Sequence, residues 1–298
     1  MPAVDLSELP TPQIIEELNF ESILAEVKEN IITAFPLIQQ DAVRSAMALE
    51  SEPLTIIAQT FAFRELLLRQ RVNEGAAACM LSHSTGSDLD NLAANMNTTR
   101  LIIIPATDTT DAVMESDTAL RLRAQSAFDG LSVAGPTGAY EYFARSASGQ
   151  VADARASSPA PAEVVVAVLS TEGDGTATKE LLTTVRNALN AEDVRPVGDR
   201  LTVQSAEIIR YQIDARLYFY PGPESEPILN AARRNLKAWL AEQGKIGRDV
   251  ALSAIMAALH VQGVQRVELT SPAQNIVINN TQAAYCTSFS ISTGGTDE

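Results

Sequence analysis

The sequence predicts an α+β protein, in which an all-helical N-terminal region is followed by two mixed α/β modules. Two observations support this fold class. Up to about residue 96, apolar residues recur mainly at helical spacing. After about residue 150, β-branched or alternating segments typical of strands are interleaved with helical segments. We therefore divide the chain into a helical region of residues 1–110, a central α/β module of residues 111–206 and a C-terminal α/β module of residues 207–298.

The helical region begins with a helix start at Thr11-Pro12, where a capping residue precedes a proline at the first helical position. Apolar residues from Phe20 onward mark one face of this helix, and Pro36 ends it. A second helix starts at Glu52-Pro53 and runs for nearly 30 residues, to about residue 82, which is long for a globular protein. Residues 85–92, TGSDLDNL, predict a helix stop, a cap and a short third helix.

The long helix has apolar residues on more than one side in the segment RELLLRQR, residues 64–71. Two interpretations remain open: it is a core helix of this chain, or part of it packs in an inter-subunit bundle. About 30 residues span roughly 45 Å of helix, which is longer than a module of about 100 residues readily covers. We therefore expect Leu66, Leu67 or Leu68 to be buried against another subunit.

The central module opens with an apolar run at residues 101–105 and a Thr/Asp-rich connector at residues 106–112. One helix is capped at residues 115–117, another starts at Gly135-Pro136, and residues 151–156 form a strand. Residues 163–206 then predict a βαβ unit. Its first strand leads into a Gly173-Asp174-Gly175 turn, its helix is capped by Thr176 or Thr178, and its second strand begins near Leu201.

The C-terminal module begins in an alternating segment, residues 203–220, that predicts one long strand or two strands with a bend. Pro221-Gly222-Pro223 breaks it. Helices follow at residues 225–242 and after Asp249, which is expected to cap the second of them. Strands are expected at residues 264–269, 275–278 and 285–291, with a frayed acidic tail after them.

Composition limits the function classes. The formal net charge of -15 opposes binding to nucleic acid and to anionic membranes. The N-terminus lacks the features of a signal peptide, and no apolar run approaches the roughly 18 residues of a membrane span. The sequence therefore predicts a cytosolic protein. Its two cysteines, Cys79 and Cys286, are expected to be small buried apolar residues without a disulfide.

No catalytic, cofactor-binding or metal site is predicted. His83 and His260 fall at expected helix ends, where an imidazole suits the helix dipole. Asp88 and Asp90 fit a helix cap, because the calcium-loop pattern is absent. Walker, dinucleotide-binding, zinc-binding and nucleophile-elbow motifs are also absent. Two function classes remain open: a structural subunit that holds other subunits, and a small cytosolic hydrolase or ligand-binding protein with an unrecognised site.

Several motifs together favour the first class. The strings EGDGT, EDVRP and DRLTVQSAE lie in this order in the βαβ segment, and T-G-x-D-L-D-x-L is matched at residues 85–92. The same function class is favoured by three further motifs, ESDxxLRxR, AGPxGAYxxxA and PGPESE. From about Leu9 to Ile291, the chain resembles the baseplate protein J family of temperate contractile-tailed phages and R-type pyocins. The weakest resemblance is at residues 101–113.

This resemblance implies a structural wedge subunit, with the helical region as the wedge core, and no enzyme activity or cofactor. It implies assembly in the bacterial cytoplasm and a final place in the baseplate of a phage tail or pyocin. The implied partners are a second copy of the chain in each wedge, a protein I-like wedge subunit, a sheath-initiating protein W-like subunit and the tail hub. Coupling to sheath contraction implies modules that move about short connectors, for which residues 106–112 and Pro221-Gly222-Pro223 are the candidates. The alternative is that the prolines stiffen the second connector and neither connector moves.

Overall fold

The computed structural model describes residues 6, 9–10, 12–132, 134–221 and 225–296. Packing divides the chain into two compact units, Met1–Asn95 and Met96–Glu298. Over the described residues, the first unit is helical and the second contains helices and mixed sheets. The predicted α+β class is confirmed. The module boundaries placed near residues 110 and 206 stay predictions.

The N-terminal unit contains the helices α1 (Phe20–Ala34), α2 (Leu37–Ala46), α3 (Pro53–Ala78) and α4 (Gly86–Ala94). Helix α1 begins later than the sequence suggested, because the side chain of Asn19 caps it by accepting a hydrogen bond from Ser22 N at 3.1 Å. Residues 12–19 form turns and irregular structure, so the predicted helix start at Pro12 is wrong, while Thr11 lies outside the described residues. Helix α2, directly after Pro36, was not predicted.

The core of this unit lies where α1 crosses the first half of α3. Ala58 and Ala62 of α3 are fully buried there, and their small side chains let the two helices approach closely. The loop after α2 is held to both helices through Met47 O, which accepts hydrogen bonds from Thr55 Oγ1 at 3.1 Å and Lys28 Nζ at 3.2 Å. The remaining core side chains are Ile23, Leu24, Ile32 and Met47.

The second unit starts with a two-stranded antiparallel sheet, β1 (Ile102–Ile104) and β2 (Val113–Met114). Helix α5 (Asp117–Ser126) follows, capped by Ser116 as predicted, and continues into a 3₁₀ turn at Ala127–Leu131. Helix α6 (Thr137–Ser146) then begins after Pro136.

The central sheet has the order β3-β4-β5, with strands at Val151–Ser157, Glu163–Ser170 and Arg200–Ser205. β4 and β5 are parallel and are joined by α7 (Lys179–Leu189), so the predicted βαβ unit is confirmed. Thr178 is the residue that caps α7, through a 3.2 Å hydrogen bond from Leu181 N to its hydroxyl. The turn before it has Gly173 at φ 61° and Gly175 at φ 95°, which are left-handed conformations that favour glycine.

The C-terminal sheet has the order β7-β6-β8, with strands at Val264–Ser271, Glu207–Phe219 and Gln282–Thr296. Helices α8 (Ser225–Gln243) and α9 (Leu252–Leu259) bury their apolar residues against it. The alternating segment predicted as one or two strands is two strands, β5 and β6, in two different sheets. The chain passes from one sheet to the other at the buried Ala206.

Three local predictions in this module are wrong. Helix α9 starts after Ala251, and its first-turn amide, Leu252 N, donates to Asn275 Oδ1 at 2.9 Å. Asp249, the predicted cap, instead accepts a hydrogen bond from Ile278 N at 2.7 Å. Residues 275–278 make only an isolated bridge, between Val250 and Ile276, and the expected frayed tail continues β8 to Thr296.

Candidate protein–protein interface

Helix α3 buries very little of its surface within its own unit. Its buried residues are Thr55, Ala58 and Ala62, all in the first half of the helix. None of the residues that follow Ala62 in α3 is buried. The helix ends at Ala78, four residues before the predicted end, and still spans 26 residues. The side chains that α3 buries therefore occupy only the first half of its length.

One exposed flank of α3 carries four large apolar residues. They are spaced four, seven and four positions apart, which places them on one side of a helix that turns about 100° per residue. The first three of them, together with side chains of α1, border an open groove of about 800 Å³ whose lining is mainly apolar. We call this flank the groove stripe, and its members are Ile57, Phe61, Leu68 and Val72, each between 48% and 65% exposed.

The other flank of α3 carries a second apolar set, spaced seven and four positions apart. We call it the back stripe, and its members are Ile56, Phe63 and Leu67, each between 51% and 54% exposed. The exposed residues Thr60, Arg64 and Arg71 lie between the two stripes. Helix α3 therefore presents two separate apolar surfaces, in addition to the face that packs on α1.

The three leucines predicted as interface residues point in different directions. Leu66 is half-buried and packs against the core of the N-terminal unit. Leu67 belongs to the back stripe and Leu68 to the groove stripe. Phe61 and Phe63 were missed as candidates, although their spacing of seven from Leu68 and Ile56 could have indicated them. That these residues contact another subunit stays a prediction.

Polar contacts hold the segment before α1 along the second half of α3. Arg69 forms ion pairs with Glu65 at 2.6 Å, Glu16 at 3.5 Å and Glu26 at 3.9 Å. Asn73 exchanges two hydrogen bonds with the backbone of Glu16, at 2.9 Å and 3.1 Å. These contacts order the polar side of α3 and leave both apolar stripes exposed.

The groups that enzymes use for catalysis do not converge in the described residues. His260 lies at the C-terminus of α9 as expected, whereas His83 lies in a turn past the end of α3, with its Nδ1 2.7 Å from Ser82 Oγ. Cys79 is exposed, so its predicted burial is wrong. Cys286 is half-buried, and this burial raises the pKa of its thiol. The described chain has no group of three or more metal-ligating side chains.

An open cleft of about 410 Å³ lies between the Gly173-Asp174-Gly175 turn and the C-terminal sheet. Two of its polar groups, the Asp174 carboxylate and the Cys286 thiol, already have partners. Asp174 accepts hydrogen bonds from Thr176 and pairs with Arg210, while Cys286 Sγ donates to Ser288 O. The carboxylate and the thiol that line the cleft are therefore engaged within the chain. No helix within the described residues is both long enough and apolar enough to cross a membrane.

Comparisons with known proteins agree with this picture. The Baseplate J-like N-terminal, central and C-terminal domains match residues 50–107, 132–205 and 211–292, in that order. Baseplate protein J of Escherichia phage P2 is 58% identical over 302 residues, and the alignment covers all of both chains. The chain belongs to the baseplate J family. The resemblance inferred from the sequence motifs is therefore confirmed.

Membership of the baseplate J family decides between the two function classes. The chain is a structural component of a tail baseplate and interacts with other baseplate proteins. Because the family consists of structural proteins, the chain is not an enzyme, and the alternative of a small hydrolase is wrong. Large exposed apolar surfaces on a structural protein are typical of sites where other subunits bind.

Proposed function

We propose that this chain is a wedge subunit of a contractile-tail baseplate, and that α3 joins it to its neighbours in the wedge. The observation that supports this most directly is the pair of apolar stripes on α3. Seven large apolar side chains, about half exposed or more, are costly to leave in water and typical of a helix that packs in a bundle.

The spacing of the stripes suggests the kind of contact. Steps of seven and four residues match the seam of helices that wind around one another, where apolar residues recur about every 3.5 positions. Two stripes on opposite flanks accommodate two partner helices, one in the α1–α3 groove and one on the back of α3. This arrangement supports the proposed wedge-core role of the N-terminal region and the proposed contact through Leu67 and Leu68.

The partners we propose are a second copy of this chain, a protein I-like wedge subunit, a protein W-like sheath initiator and the tail hub. Support for baseplate partners comes from the family membership and from the full-length similarity to the phage P2 protein. We further propose that the subunit is assembled in the bacterial cytoplasm and that its movement couples baseplate rearrangement to sheath contraction.

The experiment that tests the wedge role is co-expression of the full chain with its protein I-like neighbour, followed by mass measurement of the purified complex. Leu68→Glu places a charge in the groove stripe and Leu67→Glu places one in the back stripe. Both positions are exposed in the single chain, so the variants should fold normally. We expect each variant to lose at least one subunit from the complex, because a buried charge without a partner is costly.

The matched control is Val197→Glu, which adds the same charge at a position that is 99% exposed in the second unit. This variant should give the same complex as the unchanged chain. If Leu67→Glu and Leu68→Glu both form the complete complex, α3 does not join the subunits. If the unchanged chain forms no complex with its neighbour, the wedge assignment itself is wrong.

A further inference from the structure

The second unit contains a buried ion pair between Glu115 and Arg123, which are only 8% and 6% exposed. Arg123 donates from Nε to Glu115 Oε1 at 3.0 Å and from Nη2 to Glu115 Oε2 at 2.7 Å. Such bidentate pairing fixes both side chains in one geometry. A buried ion pair is by itself weak evidence that it stabilises the fold. Its role is therefore inferred from the contacts that it makes with the rest of the chain.

Both members of the pair bind the backbone that leads into β1. Glu115 Oε2 accepts a hydrogen bond from Leu101 N at 3.1 Å, and Arg123 Nη2 donates to Thr99 O at 2.5 Å. Arg100 adds a third contact, from its Nη1 to Glu115 O at 2.6 Å. The segment of residues 99–101 is therefore tied to the start of α5 by charged hydrogen bonds, which are stronger than neutral ones.

The same segment is held at both of its ends. Thr98 is 1% exposed, and its hydroxyl lies 3.1 Å from the hydroxyl of Tyr142 on α6. At the other end, Ile102 packs so closely on Gly149 that a Cβ added there would lie 2.6 Å from Ile102 O. Residues 98–102 are thus packed as part of the second unit, although the N-terminal family domain extends to residue 107.

Only two residues separate this anchored segment from the N-terminal unit. Helix α4 ends at Ala94 with Asn95 as its cap, and the packing boundary follows Asn95. Met96 and Asn97 remain before the buried Thr98. Asn97 has φ 53°, a left-handed conformation that asparagine tolerates better than most residues.

The two connectors suggested by the sequence are less suitable as hinges. Residues 106–112 join β1 to β2, which pair with each other, so both ends of this loop are fixed in the same small sheet. Gly222 and Pro223 lie outside the described residues, and α8, which follows them, packs on the same sheet as β6. Bending at either connector would have to break contacts within one unit.

We propose that Glu115 and Arg123 form a latch that fixes residues 98–102 to the second unit and leaves Met96-Asn97 as the linker between the two units. The latch is independent of the proposed wedge role, and only its use during sheath contraction rests on that role. Rigid units joined at a short pivot are one of the common ways in which subunits change arrangement without unfolding.

The test is amide hydrogen exchange of the isolated full-length chain, which requires no partner. In the unchanged chain, we expect the amides of residues 99–104 to exchange much more slowly than those of the loop at residues 106–111. The double variant Glu115→Leu/Arg123→Met removes both charges and leaves neither partner buried alone. In this variant, exchange at residues 99–104 should accelerate by about tenfold or more, while exchange in β4 stays unchanged.

Glu180→Gln serves as the control, since it neutralises an exposed carboxylate in the first turn of α7. It should leave exchange at residues 99–104 unaltered. Equal exchange of residues 99–104 and the 106–111 loop in the unchanged chain would overturn the latch, and this comparison does not depend on any variant folding. Slow exchange of those residues in a folded double variant would also overturn it. Failure of the chain to join a wedge would leave both measurements valid.

Discussion

At the scale of single residues, the turn that enters α7 depends on Gly175. Its φ of 95° is strained for any residue with a side chain, and a Cβ there would lie 2.6 Å from Leu169 Cδ1. We predict that Gly175→Val lowers the free energy of unfolding by about 1–3 kcal/mol. Gly198→Ala is the matched control, because no atom lies within 4 Å of the added Cβ and its φ is not left-handed.

Thermal or denaturant unfolding of both variants measures this difference. The Gly198 variant should unfold close to the unchanged chain. A Gly175→Val variant as stable as the Gly198→Ala variant would show that the turn relaxes around the new side chain, and that its left-handed glycine is not required.

The aspartate in the same turn predicts a pH effect. Hydrogen bonds from the hydroxyl and amide of Thr176, and then the Arg210 guanidinium, lower the pKa of Asp174 to about 2. A carboxyl whose pKa is lowered by folding stabilises the fold above its unfolded pKa, near 4. This contribution is lost as the pH falls from about 4 to 2.

Asp174→Asn should therefore reduce the loss of stability between about pH 4 and pH 2 relative to the unchanged chain. At neutral pH, its effect should stay below about 1 kcal/mol, because the ion pair is at the surface and the amide oxygen still accepts from Thr176. Unfolding curves of both chains across this pH range provide the measurement. Parallel pH profiles for the two chains would exclude a lowered pKa at Asp174.

At the scale of secondary-structure elements, the two halves of α3 should respond in opposite ways to larger side chains. Ala62 is fully buried where α1 crosses, so we predict that Ala62→Leu lowers the free energy of unfolding by about 1–3 kcal/mol. Gly75 has no neighbour within 4 Å of an added Cβ. Gly75→Ala should raise the stability of the helix by up to about 1 kcal/mol.

Helical content and unfolding free energy of the two variants check this contrast. If Ala62→Leu left the free energy of unfolding unchanged, α1 would be able to move away from α3 without loss of stability. In that case, the core of the N-terminal unit would be looser than the complete burial of Ala58 and Ala62 indicates.

The sequence predicted elements well where local signals agreed. The βαβ unit was recognised because its β-branched run, its glycine turn, its helix cap and the helical spacing of its apolar residues all favour the same structure. The tertiary fold agrees with these local signals. Helix α2 was missed because its most prominent apolar residues, Leu37 and Ile38, are 86% and 92% exposed and mark no buried face. Helix α1 was started too early because a Thr-Pro pair is a common but unspecific start signal.

Features that depend on distant residues could not be predicted in this way. The cap of α9 comes from Asn275, 23 positions along the chain from Leu252, so the nearer Asp249 was favoured instead. The shift in the alternation between Val203 and Ala206 does not by itself distinguish a bend in one strand from a change of sheet. For the interface, the sequence indicated α3 as a candidate, but only the packing of α1 shows which of its leucines remain exposed.

At the scale of the whole molecule, the division into two units suggests where the chain can be cut. A cut at residue 110, the boundary suggested by the sequence, removes β1 and the backbone groups of Thr99 and Leu101 that Glu115 and Arg123 bind. Both side chains would then remain buried without these partners, at a cost of about 1–3 kcal/mol for each unsatisfied group. A cut before Met96 keeps all of these contacts.

We predict that the fragment of residues 96–298 folds cooperatively and unfolds at a higher temperature than the fragment of residues 110–298. Both fragments keep the two three-stranded sheets and lack α3. Neither should therefore join the protein I-like partner in a stable complex, whereas the full chain should. Circular dichroism during heating measures the first difference, and mass measurement after co-expression measures the second. If the 96–298 fragment co-purifies with the partner in the stoichiometry of the full chain, the interface lies in the second unit, and the assignment of the apolar stripes of α3 to wedge assembly is wrong.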